Sequence, residues 1–358
     1  MTAQQLDQAK VEAFAGQMLG ALNGASLALM TSIGHQTGLF EAMATLPPST
    51  SEQIARAAGL QERYVREWLG AMVAGHIVTC DAAGKTFTLP PEHAVCLTKA
   101  AGPNNLANFA QFIPALGTVE QKIITSFRNG GGVPYSEYAN FQGLMAQMSG
   151  PTVDATLLQT TLPLVPGLVQ KLRDGIDVAD VGCGSGHAIN TMAQAFPQSR
   201  FTGFDFSEDG IAAGTAEAAK LGLTNARFVL QDAATLDTPA QFDLVTVFDA
   251  IHDQAQPRKV LRNIASALRP GGAYLMVDVR ASSNIAENAE HPLAPFLYTV
   301  SCMHCMTVSL ALNGEGLGAA WGEQKALELL AEAGFRDVDV KQVEGDIVNN
   351  YYICRAGG

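Results

Sequence analysis

Basic residues are scarce in this chain. Of its 358 residues, 22 are Lys or Arg against 34 Asp or Glu, a formal net charge of -12 at pH 7. A surface so biased repels a phosphate backbone, so nucleic acid is not expected as a partner. Cysteines number six and lack the dense spacing of a disulfide scaffold, which fits free thiols in a reducing, cytoplasmic compartment. No second C-x-x-C accompanies Cys302 and Cys305, so the ligand set of a structural zinc site is missing and no metal is expected. No uninterrupted apolar run reaches the ~18 residues of a membrane span, the richest being broken by Pro163 and Pro166. The polar stretch from Thr2 to Lys10 has no signal-peptide pattern, and internal repeats and low-complexity segments are absent. With 47% hydrophobic residues, the chain has the material for about two well-packed domains and no membrane partner.

What is present centres on one run, Ile176-Asp-Val-Ala-Asp-Val-Gly-Cys-Gly-Ser-Gly-His187. An apolar strand through Val181 meets three alternating glycines, and helical spacing of Ile189, Met192, Ala193 and Phe196 starts a helix near His187. Glycines there admit positive φ and let a ligand approach the backbone closely. A second strand, Arg200 to Phe204, ends at Asp205, whose carboxylate suits the two hydroxyls of an unphosphorylated ribose. Dinucleotide sites use G-x-G-x-x-G and set a pyrophosphate on a helix N-terminus. Here Gly182, Gly184 and Gly186 read G-x-G-x-G behind an acid, Asp180, which would repel a pyrophosphate and suits an ammonium group. S-adenosylmethionine combines that ammonium with a ribose and an adenine.

The pattern resembles motif I of the class I S-adenosylmethionine-dependent methyltransferases, and later segments follow in the family's order from about residue 135 to 355. Ala226 to Leu230 reads as a third strand, followed by Asp232 and Ala233 where the resemblance implies contacts to the adenine. Phe242 to Phe248 is a fourth strand, Arg258 to Leu268 a helix stopped by Pro270-Gly-Gly272, and Ala273 to Val277 a fifth strand. Glu323 to Ala333 reads as a helix ending at Gly334, and Val338 to Val340 with Ile347 to Cys354 as a closing hairpin. The implied fold is α/β, a Rossmann-like doubly wound sheet of seven strands with ligands at the strands' carboxyl ends. Phe206, Phe248 and Tyr135 join the cofactor residues implied by the resemblance. The segments Val133 to Tyr135 and Phe141 to Met148 resemble those that close over the methionine end of the cofactor, whose product is S-adenosylhomocysteine.

The first hundred residues have a different rhythm. Thr50 and Gln53 form a plausible capping box, a short helix through Ala58 turns at Gly59, and a second helix carries Val65, Leu69, Met72 and Val73 on one face. Ile77 to Cys80, the turn Asp81 to Gly84 and Thr86 to Leu89 add a β wing, giving a winged helix. DNA binding by the second helix is one reading, but Glu62 and Glu67 offset Arg63 and Arg66 there. In the plant-type small-molecule O-methyltransferases and their bacterial relatives, which this arrangement resembles, such a domain dimerises. The expectation is a homodimer, with the apolar stretch from Phe14 to Phe40 exchanged between subunits. Expected domains are 1–115 (helices and winged helix), 116–160 (helices closing over the cofactor) and 161–358 (the Rossmann-like domain, with a lid at 281–321).

The chemistry falls just past the fourth strand, at Phe248-Asp-Ala-Ile-His252-Asp253. Displacement at a sulfonium methyl has a neutral leaving group, so the acceptor's proton is the only one to manage. An imidazole of ordinary pKa near ~6.5 takes a proton from a phenol or thiol at neutral pH. The resemblance implies that role for His252; a purely structural His-Asp cap is the other reading. Asp278 or Glu290 would orient it. In the lid, Cys302 and Cys305 lie three apart in an apolar helix from Leu297 to Leu310, with His304 between them. Packing in the lid is one reading of the cysteines and binding of a thiophilic metal or metalloid another. Gly314, Gly316 and Gly318 read as a flexible hinge. The leading expectation is methyl transfer to a small-molecule hydroxyl. The alternatives are a thiol or metalloid methyltransferase using Cys302 and Cys305, with Asp253 and His304 also near the substrate, and a non-catalytic winged-helix regulator that senses the cofactor.

Overall fold

The computed structural model describes residues 6–139 and 141–355, so residues 1–5 and 356–358, which the expected domain bounds include, lie outside it. The chain divides into two compact units, Met1–Gly117 and Thr118–Gly358.

The first unit holds α1 (Gln8–Gln36), α2 (Leu39–Thr45), α3 (Ser51–Ala58), α4 (Glu62–Ala74), β1 (Thr79–Cys80), β2 (Phe87–Thr88), α5 (Pro91–Leu97), α6 (Leu106–Ala110) and α7 (Phe112–Gly117). Thr50 and Gln53 form the anticipated capping box on α3, and Gly59 ends that helix at φ +69°. α4 buries Val65, Trp68, Leu69 and Met72 in one core with Leu39, Phe40 and Ile54. Trp68 packs edge-on against Phe40 and donates its indole N–H to the Met30 carbonyl. The wing is shorter than the sequence suggests, two residues per strand, paired antiparallel as Thr79 with Thr88 and Cys80 with Phe87. On α4, Arg63 pairs with Glu67 and Arg66 with Glu62, each at 2.6 Å, so its basic groups are internally neutralised. α1 leaves Phe14, Met18, Leu19 and Leu22 each more than half exposed.

The second unit begins with α8 (Glu120–Asn129), α9 (Phe141–Thr156) and α10 (Leu168–Asp174). Then strands and helices alternate: β3 (Asp177–Val181), α11 (His187–Ala195), β4 (Arg200–Asp205), α12 (Glu208–Lys220), β5 (Ala226–Leu230), β6 (Phe242–Phe248), α13 (Pro257–Ala267) and β7 (Leu268–Val279). Helices α14 (Ala294–Val300) and α15 (Met306–Ala311), in the segment expected as a lid, follow, then α16 (Glu323–Glu332) and the hairpin β8 (Val338–Lys341) and β9 (Asn349–Arg355). The seven strands run in the order β5-β4-β3-β6-β7-β9-β8, with β9 antiparallel to its neighbours and β3 to β7 parallel. This is the expected Rossmann-like sheet. Cores form on both faces, one around Val245, Leu261, Tyr274 and Leu329, the other around Ile189, Met192, Phe201 and Leu275.

Two expectations need correction. The fifth strand begins at Leu268, not Ala273, because Leu268 already pairs with Phe242; Pro270-Gly-Gly272 sits within the strand as an irregularity, with Gly271 at φ +75°. The sequence was also read as having no segment apolar enough to span a membrane. By length and composition, two helices pass that test, Gln8–Gln36 and the continuous Ala294–Ala311, because their polar residues are almost all uncharged. The second of these packs into its unit through Leu297, Cys305 and Val308.

Candidate active site

Strand order reverses between β3 and β6, and the chain leaving each of these two strands builds the site. After β3, Gly182, Gly184 and Gly186 adopt φ of +75°, +52° and +71°, conformations that a Cβ would strain. A Cβ on Gly182 would lie 2.6 Å from the Ala250 side chain, and one on Gly186 would lie 2.2 Å from the Phe228 ring. A Cβ on Gly184 would meet only Gln142 Oε1 at 3.9 Å, so of the three glycines its backbone is the least crowded. Asp205 closes the turn: its Oδ2 accepts from the Gly184 N–H and its Oδ1 from the Ser207 N–H, both at 2.8 Å. Each carboxylate oxygen retains a lone pair for a ligand hydroxyl. Burial raises its pKa, opposed by the backbone donors. Asp180 lies beneath, accepting from Thr246 Oγ1 at 2.7 Å, and burial pushes it up to about 7.

The other residues expected to meet a cofactor lie at the same carboxyl ends. Asp232 is exposed and caps a single helical turn through the Ala234 N–H, and Ala233 is buried beside it. Phe248 ends β6 half-buried, and Phe206 is 47% exposed, with its ring edge-on to Tyr135 at 5.4 Å.

After β6, Asp249 takes φ +50°, rare for a residue with a Cβ, and the chain turns so that Ala250 abuts Gly182 and His252 is buried. His252 Nδ1 lies 2.7 Å from Asp278 Oδ1 at the end of β7. The same oxygen accepts from Trp321 Nε1 at 3.0 Å and from the Val279 N–H at 2.8 Å. Of the two acids expected to orient the ring, Asp278 is the one that meets it, whereas Glu290 is exposed. On the ring's other side, Nε2 stands 3.4 Å from Asp253 Oδ1, and Asp253 Oδ2 accepts from the Tyr135 hydroxyl at 2.9 Å. Burial would lower the His252 pKa, but Asp278 and Asp253 together overcome it and hold the imidazole well above its ordinary value.

The lid differs from its sequence reading in two ways. Residues Ser301–Cys305, between α14 and α15, form a π-helical turn. Residues three apart do not share a face in such a widened turn, and Cys302 and Cys305 separate. Cys305 is buried beside His252 and Asp253, its thiol pushed up to about 12 by burial and by Asp253, while Cys302 is only half-buried and not part of that cluster. His304 enters an aromatic enclosure, stacked on Phe141 at 3.7 Å and edge-on to Tyr135 and Tyr138 at 5.0 and 4.9 Å. Burial drives its pKa down to about 4, so it is neutral at pH 7.

The second difference concerns the glycine segment, which is tied down. The Glu315 N–H donates to the Ala255 carbonyl and the Gly318 N–H to the His252 carbonyl, at 3.0 and 3.2 Å. A Cβ on Gly314 would lie 2.5 Å from the Ala255 Cα, and one on Gly318 would lie 2.3 Å from Ser301 Oγ. Gly314 thus permits close packing against Ala255, and Gly318 against Ser301. The loop before Tyr135 is likewise locked to the lid, through the Val133 N–H on Thr307 Oγ1 at 2.9 Å and the Tyr138 hydroxyl on the Met303 carbonyl.

Two family models match this chain: an Rv2258c-like winged HTH domain over residues 25–99 and a methyltransferase domain over residues 172–334. The protein therefore joins a winged helix-turn-helix domain to a methyltransferase domain. Its sequence is 29% identical over 147 residues to a ubiquinone biosynthesis O-methyltransferase of Bordetella bronchiseptica, covering 40% of this chain and 60% of that protein. It is 34% identical over 115 residues to a fatty-acid O-methyltransferase of Mycolicibacterium smegmatis, covering 32% of this chain and 41% of the relative. The chain thus spans three fifths or less of the length of these relatives. Its fold is that of a putative O-methyltransferase from Nostoc punctiforme (TM-score 0.73, 16% identity, 95% of this chain and 98% of that one). The human N-acetylserotonin methyltransferase, solved in complex with SAM, has the same fold (TM-score 0.69, 16% identity, both chains covered in full).

Proposed function

We propose that this chain transfers a methyl group from S-adenosylmethionine to a hydroxyl of a small molecule, with His252 as the base. The observation that carries this reading is a buried imidazole fixed through Nδ1 on Asp278 at 2.7 Å, two residues beyond the Ala250 that abuts Gly182 of the glycine turn. The residues present fit the cofactor. The backbone at Gly184 is the least crowded of the turn, Asp205 retains accepting capacity for ribose hydroxyls, and Asp180, whose carboxyl burial pushes up to about 7, would be drawn into its charged form by an ammonium group beside it. Asp232 and Ala233 would border the adenine, with Phe206, Phe248 and Tyr135 flanking the cofactor. When bound, the cofactor supplies an electrophilic methyl group on a sulfonium. With Nδ1 donating to Asp278, the lone pair of His252 lies on Nε2, which takes the acceptor's proton; Asp278 stabilises the imidazolium that results.

The test is a thermal shift paired with an assay of S-adenosylhomocysteine formation. S-adenosylmethionine should raise the melting temperature by mass action and nicotinamide dinucleotides should not. Asp205→Ala should lose most of that shift, since charge-assisted hydrogen bonds of this kind contribute ~1.5 to 3 kcal/mol. Stabilisation by a nicotinamide dinucleotide alone would overturn the reading.

The apolar side chains exposed along α1, Phe14, Met18, Leu19 and Leu22, support a homodimer. Light scattering should give twice the mass of one chain, and a variant lacking residues 1–36 should be monomeric or aggregate. A monomeric full-length protein at micromolar concentration would refute the dimer.

A further inference from the structure

One cluster is not accounted for by proton transfer alone. A ligand atom from each of His252, Asp253 and Cys305 lies within 4.8 Å of the other two, and His252 and Cys305 are buried. Nδ1 of His252 is engaged by Asp278, so Nε2 is the atom that faces the other two residues. Asp253 Oδ1 is buried without a hydrogen-bond partner, because Tyr135 occupies Oδ2 and the 3.4 Å to Nε2 is not a well-formed hydrogen bond. Facing His252 as a charged neighbour but making no hydrogen bond, this buried carboxylate oxygen keeps its lone pairs unused, which is costly.

Imidazole nitrogen, carboxylate oxygen and thiol sulfur together form a donor set suited to zinc, a borderline-soft cation bound by three protein ligands when a fourth position is left open. Tetrahedral zinc places such ligand atoms about 3.5 Å apart, so the three would draw inward by about 1 Å or less. The surrounding hydrogen bonds already match those of a metal centre. Asp278 accepts from the ring nitrogen opposite the ligand atom, an arrangement that orients metal-bound histidines, and Trp321 and Tyr135 hold the two carboxylates. We propose that His252, Asp253 and Cys305 form a binding site for a thiophilic divalent cation of the zinc class, the Cys305 thiol and the Nε2 of His252 each giving up a proton to solvent as the metal–sulfur and metal–nitrogen bonds form. Where His252 is the base, as the methyltransferase reading holds, the same Nε2 lone pair serves both roles. Cation binding and proton abstraction then exclude each other, and zinc is a reversible inhibitor of methyl transfer.

Full-length protein, stripped of metal with a chelator, would be titrated with Co²⁺ and Zn²⁺. The expected result is one Co²⁺ per chain with a thiolate-to-cobalt charge-transfer band, displaced by Zn²⁺. Cys305→Ser should abolish the band and Cys302→Ser should keep it. Asp253→Asn should weaken zinc at least ~10-fold against a chromophoric chelator, a second arm that remains if the serine variant does not fold. Absence of the band in the wild type, or its persistence in Cys305→Ser, overturns the site. Formation of S-adenosylhomocysteine should fall in step with zinc occupancy and return on chelation. Full occupancy with undiminished turnover would leave the site standing and overturn both the exclusion and the assignment of His252 as base.

Discussion

His252 and His304 are both almost fully buried in the same unit, and their chemistry is opposite. Around the end of β6, carboxylates flank the imidazole: Asp278 at 2.7 Å and Asp253 at 3.4 Å. Around the π-helical turn of the lid, three aromatic rings flank it instead, from Phe141, Tyr135 and Tyr138. Desolvation lowers the pKa of both. Only His252 has anionic partners strong enough to reverse that, so one ring is held well above the ordinary value and the other falls to about 4. Burial therefore does not decide protonation by itself; the neighbours of each ring do. The carboxylate-flanked ring can cycle a proton, whereas the enclosed one stays neutral and packs.

The comparison breaks most visibly through activity. His252→Ala should lower turnover by ~10² to 10⁴, the usual range for a general base, while the thermal shift from the cofactor survives. Turnover near wild type, measured as S-adenosylhomocysteine formed per unit time, would remove the distinction between the two rings.

Asp278→Asn sharpens it. Turnover in the wild type should rise with pH through an inflection above 6.5, because the imidazole must be neutral to accept a proton and its pKa is raised. Without the carboxylate the inflection should move toward acid by ~1 to 3 units, the effect of one close opposite charge, with a lower plateau. An unmoved inflection would mean that Asp278 serves packing alone.

His304→Phe tests the quieter partner through stability. A histidine whose folded pKa is depressed binds its proton more readily when unfolded. It costs nothing above pH ~6.5 and destabilises the fold progressively as pH falls toward 4. From 6.5 to about 4 the penalty amounts to ~3 kcal/mol at most. The phenylalanine variant should match the wild type at pH 7 and denature at a higher urea concentration than it near pH 4.5. His252 acts with the opposite sign, its contribution complete below 6.5 and lost as pH rises through its raised pKa. Equal acid sensitivity in variant and wild type would place the titration elsewhere.

Much of this arrangement could be read from the residues alone, and the remainder was hidden for a definable reason. The glycine turn, Asp180, Asp205 and His252 lie within or just beyond strands whose apolar runs mark their ends, so local pattern located them. Asp278 was one of two candidate acids because strand five could be traced, but Trp321, 43 residues further on, carried no local signal of its role on that carboxylate. Cys305 was paired with Cys302 because a regular helix puts residues three apart on one face. The π-helical turn breaks that periodicity and delivers Cys305 to His252, a contact between distant segments. The hinge reading of Gly314, Gly316 and Gly318 failed for a similar reason: glycine signals both freedom and close approach, and only the packing against residues 252–255 distinguishes them. The strand start at Leu268 was masked by Pro270-Gly-Gly272, a stop signal absorbed here as an irregularity within a ladder.

The π-helical turn at Ser301–Cys305 also fixes how the lid counts its residues. A widened turn holds one residue more than an α-helix would, so everything after it is rotated by one residue's step, ~100°. Removing a single residue there would leave composition, length and hydropathy of the helix almost untouched and still turn Thr307 away from Val133, undoing the seam between the lid and the loop that carries Tyr135. In this segment, the addition or loss of one residue acts as a change of phase, able to re-aim every side chain of the following helix where a point substitution alters only one.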